Sequence, residues 1–288
     1  MINRRMFYLL SAPSIIVMVV LMIVPLLWAV WLGFNYITFN TLRTPQFVGL
    51  GNYTDTLADP RFWQALSFTL SLIAIVGTSE IIIGFMVALL LDQASLRSRG
   101  VFLAIFLTSY ISVPVISGLM FKQLFLPTGL GAWAYRMLTG EGFRLTEASV
   151  KTLIVIYGIW RDTPFVIIIV FAGLQTLMHE QLEAAAIDGA GRWQQLRYIT
   201  LPHLRPLLIL IAMIIIMDKY RIFDAVFVLS DMNPIYKADT LMVYNYRVAM
   251  QLQDLGKASA ISMLTVLGIF IVLIPFLRYM YRSQIAKD

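Results

Sequence analysis

Six apolar stretches, each long enough to cross a lipid bilayer as a helix, constrain this chain more than anything else in it. They run over about Met6–Phe34, Leu66–Leu91, Val101–Leu126, Val150–Leu177, Leu204–Leu229 and Ala258–Tyr281. A span needs about 20 apolar residues, so all six qualify, and an even number leaves both termini on one side. The composition agrees: 59% of the 288 residues are hydrophobic and 13% charged, with a mean hydropathy of +0.79. That is too apolar for a soluble domain and suits a bundle of lipid-embedded helices. The first stretch follows Arg4 and Arg5, as a secretory leader would. It is longer than a leader's apolar region and no small-x-small site closes it, so it reads as a retained span. The expected fold is an all-α integral membrane protein of about six spans in a single domain covering residues 1–288.

The basic residues divide almost evenly between the two sides. Those on the terminus side lie on shorter segments, and Arg4 and Arg5 directly precede the first span. Both points favour cytoplasmic termini. The formal charge of +6 is accounted for by these arginines, and no basic helix or stacking platform argues for nucleic acid. The chain has no cysteine, hence no disulfide framework and no thiolate metal site. His179 and His203 lack metal-ligand spacing. No Gly-x4-Gly-Lys-Ser/Thr phosphate loop is present. If ATP drives this protein, another chain hydrolyses it, and this chain binds no cofactor itself.

Between the fourth and fifth stretches lies a segment of different character, residues 181–202, containing Glu183-Ala-Ala-Ala-Ile-Asp-Gly-Ala-Gly-Arg. Its alanines favour a helix over about Gln181–Asp188, and Gly189 and Gly191 suit a left-handed cap. A second helix is expected to start near Arg192 and stop before Pro202, with Trp193, Leu196 and Ile199 on one face. Together they make a compact knob suited to a groove on another protein; the alternative is an amphipathic hairpin lying on lipid.

Glu183, Ala184, Ala185, Gly189, Ile199, Leu201 and Pro202 stand at the spacing of the EAA loop. The segment, with Asp188 inside it, therefore resembles that loop in the permease subunits of type I ABC importers. Three further runs resemble the carbohydrate group of those permeases. They are Phe47 to Trp63 after the first span, Trp160-Arg-Asp-Thr-Pro-Phe in the fourth, and Arg221-Ile-Phe-Asp224 in the fifth. The Gly-rich turn usual after the fifth span is replaced here by Ser230-Asp-Met-Asn-Pro234. The resemblance implies a MetI-like fold whose cytoplasmic loop docks on an ATPase. It also implies a second, related permease, two ATP-binding cassette subunits carrying ATP-Mg, a periplasmic solute-binding protein, and an inner-membrane location.

Charges inside spans are costly unless paired or hydrated, which makes them candidates for the transport path. They are Glu80 in the second span, Arg161 and Asp162 in the fourth, and Asp218, Lys219, Arg221 and Asp224 in the fifth. Arg161 and Asp162 are either a self-contained pair at a Pro164 kink or a wall of the path. Arg221 and Asp224 stand at i and i+3, where a shared helix face lets them partly neutralise each other. Tyr157, Trp160 and Tyr220 are the aromatics placed to stack on a sugar ring. Ser109, Tyr110, Ser112 and Ser117 around Pro114 supply either cavity hydroxyls or ordinary interhelical contacts. Arg161, Lys219 and Arg221 favour an anionic carbohydrate such as a uronate, phosphorylated or sulfonated sugar, unless Asp162, Asp218 and Asp224 cancel them. The rival readings are a permease for a non-sugar solute and an ion-coupled secondary transporter. An intramembrane enzyme would need a nucleophile and base that are not evident.

Overall fold

The computed structural model of the chain describes residues 4–285. Among them, five helices are long and apolar enough to cross a membrane: Ser11–Gly33, Pro60–Gln93, Glu147–Leu174, Arg192–Tyr220 and Leu255–Arg278. The sixth crossing is the pair Leu96–Ile111 and Pro114–Leu124, bent by 97°. The expected number of spans is thus met, but the third is broken. Proline explains where: its ring forces the preceding residue out of the helical region, and Val113 is extended at φ −63°, ψ 126°. Pro164, expected to bend the fourth span, instead sits inside the continuous helix Glu147–Leu174.

The fifth span also departs from expectation. It ends at Tyr220 rather than near Leu229, because the chain leaves the helix at Arg221–Phe223 and restarts as the short helix Asp224–Ser230. The carbonyl of Ile222, released by this break, accepts a bond from Thr240 Oγ1 at 2.9 Å. Arg221 and Asp224 consequently do not share a helix.

The chain gathers into two compact units. The larger holds Gln64–Val243 and the chain from Ile271 onward. In it, the second and fourth spans pack closely along Thr78–Gln93, and glycine permits the approach. A Cβ at Gly84 would lie 2.6 Å from Val166 Cγ1, so only the absence of a side chain allows this contact. The core continues through Leu72, Val76, Val150, Ile154 and Tyr157, joined by Ala225, Val226 and Leu229 of the short helix. The fourth span begins on a reciprocal cap in which Thr146 Oγ1 accepts from Ser149 N at 3.2 Å and Ser149 Oγ from Thr146 N at 2.7 Å.

The smaller unit holds the chain up to Trp63 and Tyr244–Phe270. A two-residue ladder pairs Asn35–Tyr36 with Gln46–Phe47. Buried Asn52 donates to the carbonyls of Gly33 at 3.0 Å and Asn35 at 2.9 Å, so the residue that begins an Asn-x-Thr sequon is committed to the fold. Asp59 organises the remainder. Its Oδ2 accepts from Tyr244 at 2.7 Å and from Lys257 at 3.1 Å, and its Oδ1 from Arg61 N at 3.0 Å.

Burial alone would raise the Asp59 pKa; the hydrogen bonds from Tyr244, Arg61 and Lys257 and the Lys257 charge outweigh it and hold the carboxyl below its ordinary value of 3.8. A depressed native pKa contributes stability that is complete above the unfolded value and is lost as pH falls through the native one. Asp59→Asn is therefore expected to lower stability at neutral pH by about 2 kcal/mol and to flatten the acid limb of thermal unfolding below about pH 4. Thermal denaturation of the purified complex across pH checks this; an unchanged acid limb in the variant would contradict it.

Candidate functional site

Two places carry the features expected of a transporter. The first is the segment between the fourth and fifth spans. Its first helix covers His179–Ile187 and ends on Asp188, with Gly189 left-handed at φ +83°. Ala190 N then bonds Ala185 O at 2.9 Å and Gly189 N bonds Ala186 O at 3.1 Å, the paired closure of a Schellman cap. The position of Gly189 thus has a local cause: the glycine supplies the one backbone conformation that a side chain resists.

The second helix does not stop before Pro202. It begins at Arg192, passes through a π-turn at Leu196–Thr200 and continues as the fifth span to Tyr220. Pro202 is tolerated in the first turn beyond the π-turn, where the backbone bonding is already shifted. Gln195, which sequence reading passed over, ties the knob together: its Nε2 donates to Ala190 O at 3.2 Å and Leu182 O at 3.4 Å. The rigid turn presents Ile187, Trp193 and Tyr198 to the outside, 87%, 70% and 70% exposed. Glu183, Ala184, Asp188, Gly189, Leu201 and Pro202 are exposed as well, while Ala185 and Ile199 are half-buried.

The second place lies in the larger unit, a cavity of about 400 Å³ among the second to fifth spans. Its polar wall is built around Lys219, which is 3% exposed. Lys219 Nζ lies 2.7 Å from Glu80 Oε1 and also contacts Asp162 Oδ2. Asp162 Oδ1 receives Arg161, whose guanidinium stands 5.8 Å from the centre of the Tyr110 ring. Glu80 follows the π-turn Ile73–Gly77, Asp162 precedes Pro164, and Lys219 is one residue from the end of its helix. Gly158 lets the elements close: a Cβ there would meet Val76 Cγ1 at 3.0 Å and Lys219 Nζ at 4.0 Å.

Arg221 and Asp218 form a more exposed pair at 2.9 Å. Tyr157 is fixed from behind, bonded to Ser117 Oγ at 2.8 Å and to Pro114 O at 3.0 Å. Of the path residues expected from sequence, Glu80, Tyr157, Arg161, Asp162, Asp218, Lys219, Arg221 and Asp224 line this cavity. Trp160 and Tyr220 do not. Trp160 faces a separate apolar cleft of about 980 Å³ together with Ser109, Ser112 and Ser117, and Tyr220 is buried at 2% exposure. Phe165, Ile214, Ile222 and Phe223 supply apolar wall that the sequence reading did not single out.

The four carboxylates and three cations of the wall are largely engaged with one another. Glu80 is 1% exposed, and its two carboxylate oxygens are buried without a hydrogen-bond partner among the described residues, so the Lys219 ammonium 2.7 Å away is what compensates its charge. Two carboxylates and one ammonium in a membrane interior stand only as a set, because removing one member strands the others without solvation. Lys219→Ala is expected to destabilise the protein by about 3–5 kcal/mol, and a double change of Lys219→Met with Glu80→Gln to recover most of it. Thermal unfolding in detergent reads both; equal losses in the single and double variants would contradict the coupling.

No family model matches the chain. It is 32% identical over 280 residues to the trehalose/maltose transport system permease protein MalF of Thermococcus litoralis, covering 95% of this chain and 92% of that one. It is 31% identical over 268 residues to the trehalose transport system permease protein SugA of Mycobacterium tuberculosis, covering 92% and 85%. Its fold matches a chain of a bacterial alginate ABC transporter crystallised with an alginate pentasaccharide-bound periplasmic protein, at a TM-score of 0.81 and 20% identity over 96% of this chain and 94% of that one. With its broken six-span fold and its exposed EAA knob, the chain belongs to the permease subunits of type I ABC sugar importers, integral inner-membrane proteins that are not enzymes and are served by ATPases on other chains.

Proposed function

We propose that this chain forms one half of the pore of a carbohydrate importer, paired with a second, related permease above two ATPase subunits that bind ATP-Mg. The exposed knob of Ile187, Trp193 and Tyr198 around Gly189 carries the reading. Apolar side chains left exposed on a capped turn and on the first turns of the fifth span suit a groove on a partner. In this reading the knob and both termini lie in the cytoplasm. A periplasmic binding protein delivers the cargo from the opposite side. ATP binding draws the two ATPases together, and the knob transmits that motion into the fifth span, of which it forms the first turns.

The cargo passes along the polar cavity. The exposed rim pair Arg221–Asp218 and the neighbouring Asp224 offer donors and acceptors for sugar hydroxyls, each of which must regain a hydrogen bond on leaving water. Tyr110 and Phe165 stack at 5.7 Å and offer an aromatic face beside them. The cations that favoured an anionic sugar by sequence are matched in space: Lys219 by Glu80 and Asp162, Arg161 by Asp162, Arg221 by Asp218. With four carboxylates against three cations on the wall, the cavity supports a neutral carbohydrate over a uronate or a phosphorylated or sulfonated sugar.

Gly189→Val tests the coupling. A Cβ there meets nothing within 4 Å, so the change acts through the backbone conformation, at a cost of roughly 1–2 kcal/mol. Uptake into vesicles is expected to fall by about tenfold or more with the complex still assembled; unchanged uptake would overturn the coupling role. Cargo charge is tested in the same assay by competition. Neutral sugars are expected to compete and their anionic analogues to compete less; stronger competition by the anionic analogues would refute the neutral assignment.

A further inference from the structure

Away from the transport cavity, the larger unit carries a groove of about 460 Å³ between the second and fourth spans. From the second span it is lined by Gln64, Ser67, Phe68, Ser71 and Ile75, from the fourth by Lys151, Thr152 and Val155, and Lys237 closes one end. On the second span these positions follow the three-and-four spacing of one helix face, so the groove runs along the spans.

Its polarity changes along its length. Gln64, Ser67, Lys151, Thr152 and Lys237 stand at the end near the start of the fourth span, and Ile75 and Val155 lie deeper. The fourth span runs from Glu147 toward the coupling segment, so the polar end belongs to the leaflet opposite the knob. Gln64 is four residues into its helix and Lys151 likewise, about 6 Å from each helix start, which is headgroup depth. From Gln64 to Ile75 the helix rises about 16 Å, close to half of the roughly 30 Å hydrocarbon core. The groove therefore has the length of one leaflet, polar at the water side and apolar toward the midplane.

Charge identifies the occupant. The lining includes two lysines and no carboxylate. Glu147, outside the lining, pairs with Lys151 at 2.7 Å and Lys237 at 3.5 Å, leaving the three groups with one net positive charge. Both ammonium groups stay accessible, the side chains being 30% and 54% exposed, and Lys151 Nζ stands 5.6 Å from the centre of the Phe68 ring. A single phosphodiester on a glycerol backbone complements that charge, Ser67 and Thr152 offer hydroxyl partners beside it, and an acyl chain continues along Ile75 and Val155.

We propose that this groove is a binding site for an acidic glycerophospholipid of the leaflet opposite the coupling knob, its phosphate held by Lys151 and Lys237. The test is native mass spectrometry of the delipidated, fully assembled importer titrated with phosphatidylglycerol, with phosphatidylcholine as the zwitterionic control and inorganic phosphate as competitor. Phosphatidylglycerol adducts are expected to outnumber phosphatidylcholine adducts. In the double variant Lys151→Gln with Lys237→Gln they should weaken by on the order of thirtyfold, and Lys151→Arg with Lys237→Arg should retain them. Val155→Trp, which keeps both charges and fills the apolar half, should also reduce them, so the proposal does not rest on the assembly of one variant.

Three results would overturn it. Equal adducts in the wild type and in both the Gln and Trp variants would remove the site. Displacement of the lipid by inorganic phosphate would make it a free-anion site. Loss of a protein subunit rather than a lipid from the variants would assign the groove to a partner helix.

Discussion

The ammonium of Lys219 is the constraint around which the larger unit is arranged. It lies in the membrane interior, 3% exposed, and an isolated charge there is not tolerated. Glu80 from the second span and Asp162 from the fourth answer it. Those partners reach it only because the three helices come close at that level, and the glycines do that: Gly158 beside Val76 and Lys219, and Gly84 against Val166 one turn beyond Glu80. The same pairing leaves a cavity, because charged groups that satisfy one another hold their helices at the distance set by side-chain length. Packing, charge and the polar wall are thus one feature.

The fifth span connects this centre to the membrane exterior. A continuous helix from Arg192 to Tyr220 contains 29 residues, about 43 Å in length, with Trp193 of the exposed knob at one end and Lys219 at the other. The π-turn at Leu196–Thr200 lies where the helix leaves the coupling segment, and the break at Arg221–Phe223 lies where it reaches the cavity. One helical element, with no loop in between, thus joins the knob to the cavity wall. The broken third span also meets the cavity: Pro114 lines it, and Tyr157 bonds across the 97° bend to Ser117 and to the Pro114 carbonyl.

What the residues made legible is what depends on local physics. Apolar length gave the spans, and Gly189 with its alanine-rich neighbour gave the capped turn between the fourth and fifth of them, because both follow from segments read alone. The errors fall where a tertiary partner decides. Arg221 and Asp224 were placed on one helix by their spacing, but the helix ends between them, and Arg221 turns back to Asp218. Trp160 stands beside Arg161 in sequence and faces a different cleft, since adjacent helix positions point about 100° apart. The helix break at Pro114, where Ser112 and Val113 are both extended, is a second proline effect, while Pro164 lies within a helix that runs on past it. The sequence leaves open whether Asp162 and Asp218 answer the three cations, because only the fold sets them within reach of Arg161, Lys219 and Arg221. Gln195 carried no signal of its own; only the closed turn shows why its amide is needed there.

Whether this charged cavity is a water-accessible part of the transport path that responds to ATP on the partner subunits is open to direct measurement. The chain contains no cysteine, so Asp218→Cys places a single thiol in it at a half-exposed position on the cavity wall. In the assembled importer, the rate at which a membrane-impermeant thiol reagent modifies this chain reads that accessibility directly. Labelling is expected to change when the ATPases are trapped with nucleotide and to slow when the transported carbohydrate is present. Labelling that is absent in every state, or indifferent to both nucleotide and sugar, would contradict a place on that path.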